Sequence, residues 1–196
     1  MFNLPLKNIL IFDNQLLSDQ EIMEIAKLED YPPIYRLRTR QIAKDLQKND
    51  YIKTVEIKRV RFSQLHISVE ENRPLFYIDY QAITVLSDGT EVDVKHRVPI
   101  LVNYVPDLIY QDFILKMDLI DDNILQRISE IKYAPNDFDD ERFVLYMVDG
   151  NYVYVNLTNF LDLNEYLIIM ERIINDIGPQ KGILNLDAGG YFQVFD

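Results

Sequence analysis

The stretch Tyr51–Pro74, YIKTVEIKRVRFSQLHISVEENRP, decides the fold of the first part of the chain. In its second half Leu65, Ile67 and Val69 alternate with polar residues, and its first half shows a similar period. Alternation with a period of two is typical of half-buried β-strands. We therefore predict two antiparallel strands joined by a short link at residues 61–64.

Upstream of this hairpin the sequence predicts one strand and two helices. Residues 8–12 form a short apolar run that indicates a strand. Ser18 and Glu21 have the spacing of a capping box, which predicts a helix running to about Leu28. A second helix is expected over residues 39–48, where apolar residues recur at helical spacing. The predicted order is therefore β-α-α-β-β.

Pro74 marks both the end of the hairpin and a change in charge. Residues 1–74 hold 12 Lys and Arg against 11 Asp and Glu, whereas residues 75–196 hold 8 against 21. The first part therefore has a net charge of +1 and the second part of −13, which together give the net charge of −12. We predict two domains, residues 1–74 and residues 75–196.

Residues 75–196 carry the signals of a strand-rich domain. Asp88-Gly89 and Asp149-Gly150 each lie near apolar runs, and each predicts a tight β-hairpin. A short helix is expected over residues 122–128, followed by a strand over residues 128–133. The second domain is therefore expected to contain a mixed, mostly antiparallel sheet.

One long helix and two final strands complete the second domain. Apolar residues at helical spacing run from Asn159 to Ile177, and Gly178-Pro179 is a stop signal. A strand-rich domain needs a helix to cover one face of its sheet, so we interpret this apolar stripe as core and not as a partner groove. The strands are expected over residues 182–187 and 191–195.

Several motifs resemble those of a known family. The β-α-α-β-β unit ending in Glu71-Asn72-Arg73-Pro74 resembles a POTRA domain. Val98-Pro99-Ile100-Leu101, Ile128-Ser129-Glu130-Ile131 and the C-terminal pattern GILNLD…GGYF resemble segments of FtsQ/DivIB cell-division proteins, in particular the Gram-positive DivIB type. The resemblance implies an α+β fold in which a POTRA domain is followed by a β domain with a long covering helix and a C-terminal edge strand.

The resemblance also implies a function. FtsQ/DivIB proteins are non-enzymatic scaffolds of the bacterial divisome, and they bind the ectodomains of DivIC/FtsB and FtsL during septum formation. The chain would then be the extracytoplasmic part of a single-pass cell-membrane protein at the septum, with the membrane helix before Met1. An alternative is a POTRA-containing secretion or outer-membrane assembly component that binds unfolded substrate. Such proteins usually carry tandem POTRA units or a barrel, so the mixed second domain disfavours it.

The last strand is the expected partner-binding site. A terminal strand commonly lies at a sheet edge, where its free N–H and C=O groups can pair with a partner strand. The rival interpretation is an interior strand whose aromatic residues are core. The acidic balance of the second domain predicts basic residues beside the partner strand. The expected partner-binding residues are Gly190, Tyr191, Phe192, Gln193, Val194 and Phe195.

A local basic patch lies on the otherwise acidic chain, with nine basic and three acidic residues between Arg36 and Arg61. It is interpreted either as ordinary solvated surface or as a membrane-facing site for anionic lipid or wall polymer. Nucleic acid is disfavoured as a partner because the acidic second domain would repel phosphate. The residues expected to face a membrane are Arg36, Arg38, Arg40, Lys58, Arg59 and Arg61.

The titratable residues argue against an enzyme. His66 and His96 lie on different predicted strands, and the sequence has no cysteine, no glycine-rich phosphate loop and no G-x-S-x-G motif. The acidic segment 137–141 lacks the glycine and the distal glutamate of a calcium loop, so it is interpreted as a solvated loop. We expect no catalytic residue, no cofactor and no metal. No apolar run approaches the ~20 residues of a membrane helix.

Overall fold

A computed structural model of the protein describes residues 6–60 and 63–195. The chain divides into two compact units, residues 1–73 and residues 74–196. Each unit has its own hydrophobic core.

The first unit contains a three-stranded sheet and two α-helices, in the predicted β-α-α-β-β order. Its elements are β1 (Asn8–Phe12), α1 (Asp19–Ala26), a 3₁₀ helix (Ile34–Arg36), α2 (Thr39–Leu46), β2 (Ile52–Val60) and β3 (Gln64–Glu71). β3 is the central strand, with β1 parallel to it on one side and β2 antiparallel on the other. The hairpin of β2 and β3 is confirmed, although Arg61 and Phe62 of its link lie outside the described residues.

The local signals of the first unit act as the sequence predicts. Leu65, Ile67 and Val69 of β3 are buried in the core, as their alternation requires. The capping box is present: the Ser18 hydroxyl accepts from the Glu21 N–H at 3.3 Å, and the Glu21 carboxylate accepts from the Ser18 N–H at 2.8 Å. The Ser18 N–H and the Ser18 hydroxyl both donate to the Glu21 carboxylate, and these two bonds lower the pKa of Glu21. α1 ends at Ala26, two residues before the predicted end.

Glu71, at the end of the hairpin, fixes the loop that follows β1. Its carboxylate accepts from three consecutive backbone N–H groups, those of Gln15, Leu16 and Leu17, at 2.8, 2.7 and 2.9 Å. Hydrogen bonds to an ionised acceptor are about twice as strong as neutral ones. The neighbouring Asn72 is buried, and its side-chain amide donates to the Asp50 carbonyl at 2.9 Å.

The second unit is built on a nine-stranded sheet. Its elements are β4 (Pro74–Ile78), β5 (Ile83–Leu86), β6 (Glu91–Val92), β7 (Ile100–Leu101), α3 (Asp107–Asp118), α4 (Asp122–Leu125), β8 (Ile128–Tyr133), β9 (Arg142–Met147), β10 (Tyr152–Asn156), a 3₁₀ helix (Phe160–Glu165), α5 (Tyr166–Ile177), β11 (Gly182–Asn185) and β12 (Tyr191–Val194). The strand order is β12-β11-β10-β9-β8-β7-β4-β5-β6. Three neighbouring pairs are parallel and five are antiparallel, so the mixed, mostly antiparallel sheet is confirmed.

The two D-G hairpins are also confirmed. Gly89 and Gly150 have φ values of 86° and 89°, in the region that glycine reaches without strain. Asp88-Gly89 joins β5 to β6, and Asp149-Gly150 joins β9 to β10.

The helices differ from the prediction in two ways. The first difference is α3, which has no counterpart in the prediction and packs Phe113 against Phe143 with ring centroids 4.7 Å apart. The helix expected over 159–177 is a 3₁₀ helix followed by α5. Its apolar stripe is core at Phe160, but Ile174 is 47% exposed. α3 therefore shares the covering of the sheet with this segment. Within the described residues, no helix combines the length and apolar character needed to cross a membrane.

Candidate partner-binding edge

β12 lies at one end of the nine-stranded sheet, where it pairs antiparallel with β11. The pairs run from Gly182 opposite Val194 to Asn185 opposite Tyr191. Within the described part of the chain no further strand follows β12 in the sheet. The expected edge position is confirmed, and the rival interpretation of an interior strand is wrong.

The turn before β12 sets this register. Gly189 and Gly190 have φ values of 98° and 76°, which side-chain-bearing residues rarely adopt. The Gly190 N–H donates to the Asn185 carbonyl at 2.9 Å, which closes the turn. The two glycines therefore allow the chain to reverse directly from β11 into β12.

The direction of the β12 backbone groups follows from one hydrogen bond. The Phe195 N–H donates to the Lys181 carbonyl at 3.0 Å, so residue 195 points its backbone groups toward the β11 side. Successive residues of a strand point these groups in opposite directions. Gln193 therefore bonds toward β11, whereas the N–H and C=O groups of Phe192 and Val194 face the open edge of the sheet.

β12 packs closely on β11 because β11 begins with a glycine. A Cβ atom at Gly182 would lie 2.7 Å from Cζ of Phe192 and 2.9 Å from the carbonyl carbon of Gln193, and still closer to the Gln193 oxygen. The Gly182 N–H donates to Oδ1 of Asn151 at 2.9 Å. Glycine thus permits a backbone approach that a larger residue would prevent.

A buried network holds the start of β11 in place. The Asn151 side chain accepts from Gly182 and donates to the Tyr166 hydroxyl at 3.2 Å, and that hydroxyl donates to Asp149 at 2.8 Å. Burial, together with the bond to Asp149, raises the pKa of Tyr166, so this hydroxyl stays protonated at neutral pH. The network joins α5, the β9–β10 turn and β11, and it therefore presents β11 as a fixed template for β12.

The side chains of β12 divide between two faces. Phe192 is half-buried against the core of the unit. On the opposite face Phe195 packs edge-to-face on Tyr152 with ring centroids 5.1 Å apart, and Tyr152 packs on Tyr146 at 4.8 Å. Tyr191 on this face is exposed. A row of aromatic rings therefore runs from β9 to the end of β12 on the outer face of the sheet.

An ion pair lies under the turn that leads to β12. Nε of Arg142 lies 2.6 Å from Oδ2 of Asp187, and both side chains are largely buried. The Arg142 guanidinium also lies over the Tyr154 ring, 4.0 Å from its centroid. An arginine that stacks on an aromatic ring and bonds a carboxylate is held in one orientation. The pair therefore fixes Asp187, within the turn, to the start of β9.

The basic patch is only partly assembled. Arg38, Arg40 and Arg59 line one open cavity of about 410 Å³ at the start of α2. Arg38 is the N-cap residue of this helix, and its side chain makes no capping hydrogen bond among the described residues. The Arg59 guanidinium donates to the Leu37 carbonyl. These three arginines therefore bring positive charge to the N-terminal end of α2, which is an arrangement suited to an anion.

The remaining members of the patch lie elsewhere. Lys58 follows the opposite face of β2 from Arg59 and pairs with Glu56 at 2.8 Å. Arg36 lies in the 3₁₀ helix and does not line the cavity. Arg61 lies outside the described residues. Of the five described residues of the predicted patch, Arg38, Arg40 and Arg59 therefore share one cavity.

The acidic segment and the histidines make local structural contacts. The carboxylate of Asp139 accepts from the Glu141 N–H at 2.9 Å and from the Asn156 amide at 3.0 Å, so it organises its own loop. His66 is half-buried against Phe12, and burial lowers the pKa of His96. In the part of the chain that the structure describes, no three His, Asp or Glu side chains lie where they would share a metal ion.

Sequence reasoning missed two features of this edge. The aromatic row uses Tyr146 and Tyr152, and their period-two alternation with buried neighbours is the signal that places both on the outer face. The pairing of Arg142 with Asp187 had no local signal, because these residues are 45 positions apart in the chain.

Comparisons with known proteins give a consistent result. Residues 4–72 match the family model of the FtsQ-type POTRA domain. The cell division protein DivIB of Bacillus subtilis (strain 168) is 27% identical over 195 residues, which covers 95% of this chain and 73% of that protein. DivIB of Listeria monocytogenes serovar 1/2a is 24% identical over 203 residues, covering 97% of this chain and 73% of that protein.

A solved structure is also similar. It is the major extracytoplasmic domain of the trans isomer of DivIB from Geobacillus stearothermophilus. The sequence identity is 21% and the TM-score is 0.44. The match covers 55% of this chain and 98% of that chain.

Proposed function

Because the chain belongs to the FtsQ/DivIB family of cell-division proteins, we propose that it is a non-enzymatic scaffold of the bacterial divisome. In this proposal it works at the division septum, on the extracytoplasmic side of the cell membrane, and binds the ectodomains of DivIC/FtsB and FtsL. The family membership disfavours the alternative of a secretion or outer-membrane assembly component that binds unfolded substrate.

The observation that supports the proposed mechanism is the open edge of β12. The outward N–H and C=O groups of Phe192 and Val194 offer a partner strand a ladder of backbone hydrogen bonds. Binding by strand addition draws its affinity from these backbone groups and its specificity from alternate side chains. β11 is fixed by the Asn151 network, so β12 lies on an ordered support.

The surface beside the edge indicates the chemistry of the partner. The exposed Tyr191 and the aromatic row ending in Phe195 give apolar ring surface on the outer face of β12. Residues 75–196 carry 21 acidic and 8 basic side chains. We therefore expect a partner strand with apolar residues at alternate positions and with lysine or arginine beside them, since opposite charge steers association.

The sharpest test removes one outward donor from the edge. Val194→Pro deletes the N–H that faces a partner strand and leaves the residues bonded to β11 unchanged. Val194→Ala is the matched control, because it shortens the side chain and keeps the N–H. Affinity for a purified DivIC/FtsB ectodomain should fall about tenfold or more in the proline variant, as a net hydrogen bond contributes roughly 0.5–1.5 kcal/mol and the ring adds a clash.

Circular dichroism and melting of both variants show whether the unit stays folded. A folded Val194→Pro protein that binds as tightly as Val194→Ala would rule out strand addition at β12. A proline at Gln193 is a poorer test, because its N–H bonds toward β11 and its loss would release the strand itself.

A second proposal rests on the cavity between Arg38, Arg40 and Arg59. We propose that this site meets anionic lipid or wall polymer near the membrane surface. The charges of three arginines and of the uncapped start of α2 add there. The whole chain should sediment with vesicles that contain anionic lipid and should be released at raised salt.

The matched variants separate this site from general surface charge. Arg38→Gln together with Arg40→Gln should abolish the sedimentation, whereas Lys58→Gln should leave it unchanged, since Lys58 is paired with Glu56. Equal sedimentation with neutral and anionic vesicles would contradict the proposal and leave the patch as ordinary solvated surface.

A further inference from the structure

A cavity in the second unit is lined by three tyrosines and two carboxylates. It has a volume of about 170 Å³ and lies where the ends of β4 and β7 meet β6 and the start of α3. This volume is below the ~300–1,000 Å³ of sites for drug-sized ligands and above the ~30 Å³ share of one water molecule. It suits a single side chain or a group of similar size. The polar residues that line it are Tyr80, Glu91, Tyr104, Asp107 and Tyr110.

Tyr110 carries an unusual hydroxyl. Its ring packs edge-to-face on Phe76 with centroids 6.3 Å apart, which fixes the side chain. Its hydroxyl oxygen is buried and has no hydrogen-bond partner among the described residues. A buried hydroxyl without a partner is unfavourable for the folded protein, and in native structures such groups are rare.

The surroundings of this hydroxyl are negatively charged. Burial, with further contributions from Glu91 and Tyr80, raises the pKa of Tyr110 to about 12. The hydroxyl therefore stays protonated at neutral pH, and its oxygen can still accept a hydrogen bond.

The rim of the cavity has the same character. The Tyr104 hydroxyl donates to Oδ1 of Asp107 at 2.8 Å, which holds this carboxylate in place. Glu91 supplies a second exposed carboxylate, and among the described residues that line the cavity none is basic. The N-terminal end of α3 carries a partial positive charge, and Asp107 in its first turn offsets it. The site therefore combines aromatic rings, negative charge and a free hydrogen-bond acceptor.

We propose that this cavity binds an organic cation, the guanidinium or ammonium group that ends an arginine or lysine side chain of a protein partner. The rings of Tyr80 and Tyr104 attract a cation by their π electrons. Glu91 and Asp107 neutralise its charge, and the Tyr110 oxygen accepts one of its N–H groups. The site is separate from the proposed strand addition, since β4 and β6 lie toward the opposite end of the sheet from β12.

The two cations differ in how they fit. A guanidinium is planar, stacks on aromatic rings and presents several fixed donors, so it can bond a carboxylate and the hydroxyl together. An ammonium is a compact, more strongly hydrated charge. Guanidinium should therefore bind more tightly, and both should bind more tightly than a neutral group of the same shape.

The test uses the whole chain and three small probes. The probes are N-acetyl-arginine methylamide, its neutral counterpart N-acetyl-citrulline methylamide, and N-acetyl-lysine methylamide. Each is titrated while backbone amide NMR shifts are followed. We expect saturable shifts at Gln81, Glu91 and Asp107 with the arginine probe, with a Kd in the millimolar range. The citrulline probe should bind at least about tenfold more weakly, a loss that equals 1.4 kcal/mol. Equal responses to the arginine and citrulline probes, or shifts confined to other residues, would overturn the proposal.

Two variants locate the interaction. Tyr110→Phe should leave the melting temperature of the free protein unchanged or raise it, because it removes an unpaired hydroxyl, and should weaken binding of the arginine probe about threefold or more. Glu91→Gln should weaken binding as well, whereas Glu130→Gln, an exposed carboxylate on β8, should not. A Tyr110→Phe protein that melts lower and binds the probe normally would show that the hydroxyl is structural. Normal probe binding by Glu91→Gln would overturn the site even if Tyr110→Phe fails to fold.

Discussion

Replacing Gly182 by alanine should detach β12 from the sheet without changing any residue of β12. The added Cβ would meet Cζ of Phe192 at 2.7 Å and the carbonyl carbon of Gln193 at 2.9 Å, where ordinary contacts begin at 3.4 Å. Phe192 has a ring that can turn aside, but the Gln193 carbonyl is backbone and must move with the strand. Moving the strand far enough to relieve the contact stretches the hydrogen bonds between β12 and β11 beyond the normal range of ~2.7–3.2 Å.

The size of the destabilisation depends on the few contacts that hold β12 to the rest of the unit. Overpacking by one methyl group commonly costs about 1–3 kcal/mol. β12 buries only part of Phe192, and Tyr191 and Val194 are exposed. The strand can therefore leave the sheet at little cost, and this limits the loss of free energy of unfolding. The rest of the core is untouched, because Leu145 and Val153 lie on strands farther into the sheet. We therefore expect local opening of β12 with the second unit still folded.

Hydrogen exchange measures this opening directly. A change of about 1–3 kcal/mol corresponds to roughly 5- to 150-fold. The amides of Gln193 and Phe195, which bond toward β11, should lose protection by that factor in Gly182→Ala, while the amide of Leu145 should keep its protection. Affinity for a DivIC/FtsB ectodomain should fall in parallel, since the template for the partner strand is lost.

Gln193→Ala serves as the control, because it shortens an exposed side chain of the same strand and adds no clash with backbone. It should keep the protection of both amides, because the hydrogen bonds of β12 to β11 are unchanged. Unchanged protection at Gln193 and Phe195 in Gly182→Ala would refute the steric reasoning. Lost protection with unchanged affinity would refute the role of β12 in binding.

The remaining predictions concern the first unit. Glu71→Gln should destabilise it by about 1–3 kcal/mol in chemical denaturation, because the charge that strengthens three backbone hydrogen bonds is lost; an unchanged midpoint would contradict this. The bonds that Ser18 donates to the Glu21 carboxylate lower the pKa of Glu21. The stabilisation from these bonds is therefore complete above the ordinary glutamate pKa and is lost as the pH falls through the lower pKa of the folded state. An NMR titration should therefore show the Glu21 pKa rise only part of the way to its ordinary value in Ser18→Ala, because alanine removes the hydroxyl donor and keeps the backbone N–H. A fragment of residues 1–74 should fold alone with marginal stability, as short domains bury little surface, and a featureless circular dichroism spectrum would count against it.

The sequence predicted the elements whose signals are local. The alternation of Leu65, Ile67 and Val69, the capping box at Ser18 and the D-G turns each depend on neighbours a few residues away, and each was found in its predicted place. Such signals act through backbone geometry and short-range hydrogen bonds, so tertiary contacts seldom reverse them.

α3 was missed because its apolar residues do not all face the core. Phe113 and Met117 are buried, but Leu108 is 94% exposed and Leu115 is 61% exposed, so the apolar residues surround the helix and hide its period. The start of the helix predicted over 159–177 is instead tightened into a 3₁₀ helix. Asn164 in this segment accepts from the Asp121 N–H and donates to the Leu119 carbonyl, contacts more than 40 positions away in the chain.

The sequence by itself determined that residues 191–195 form a strand rich in aromatic residues and that the second part of the chain is acidic. Only the tertiary structure decided that β12 is an edge, because strand order depends on which strands pair across long stretches of chain. It also decided which N–H groups of β12 are open, through the register with β11. The cavity around Tyr110 is likewise tertiary, since Tyr80, Glu91 and Tyr104 come from separate segments that meet only when the sheet and α3 pack together.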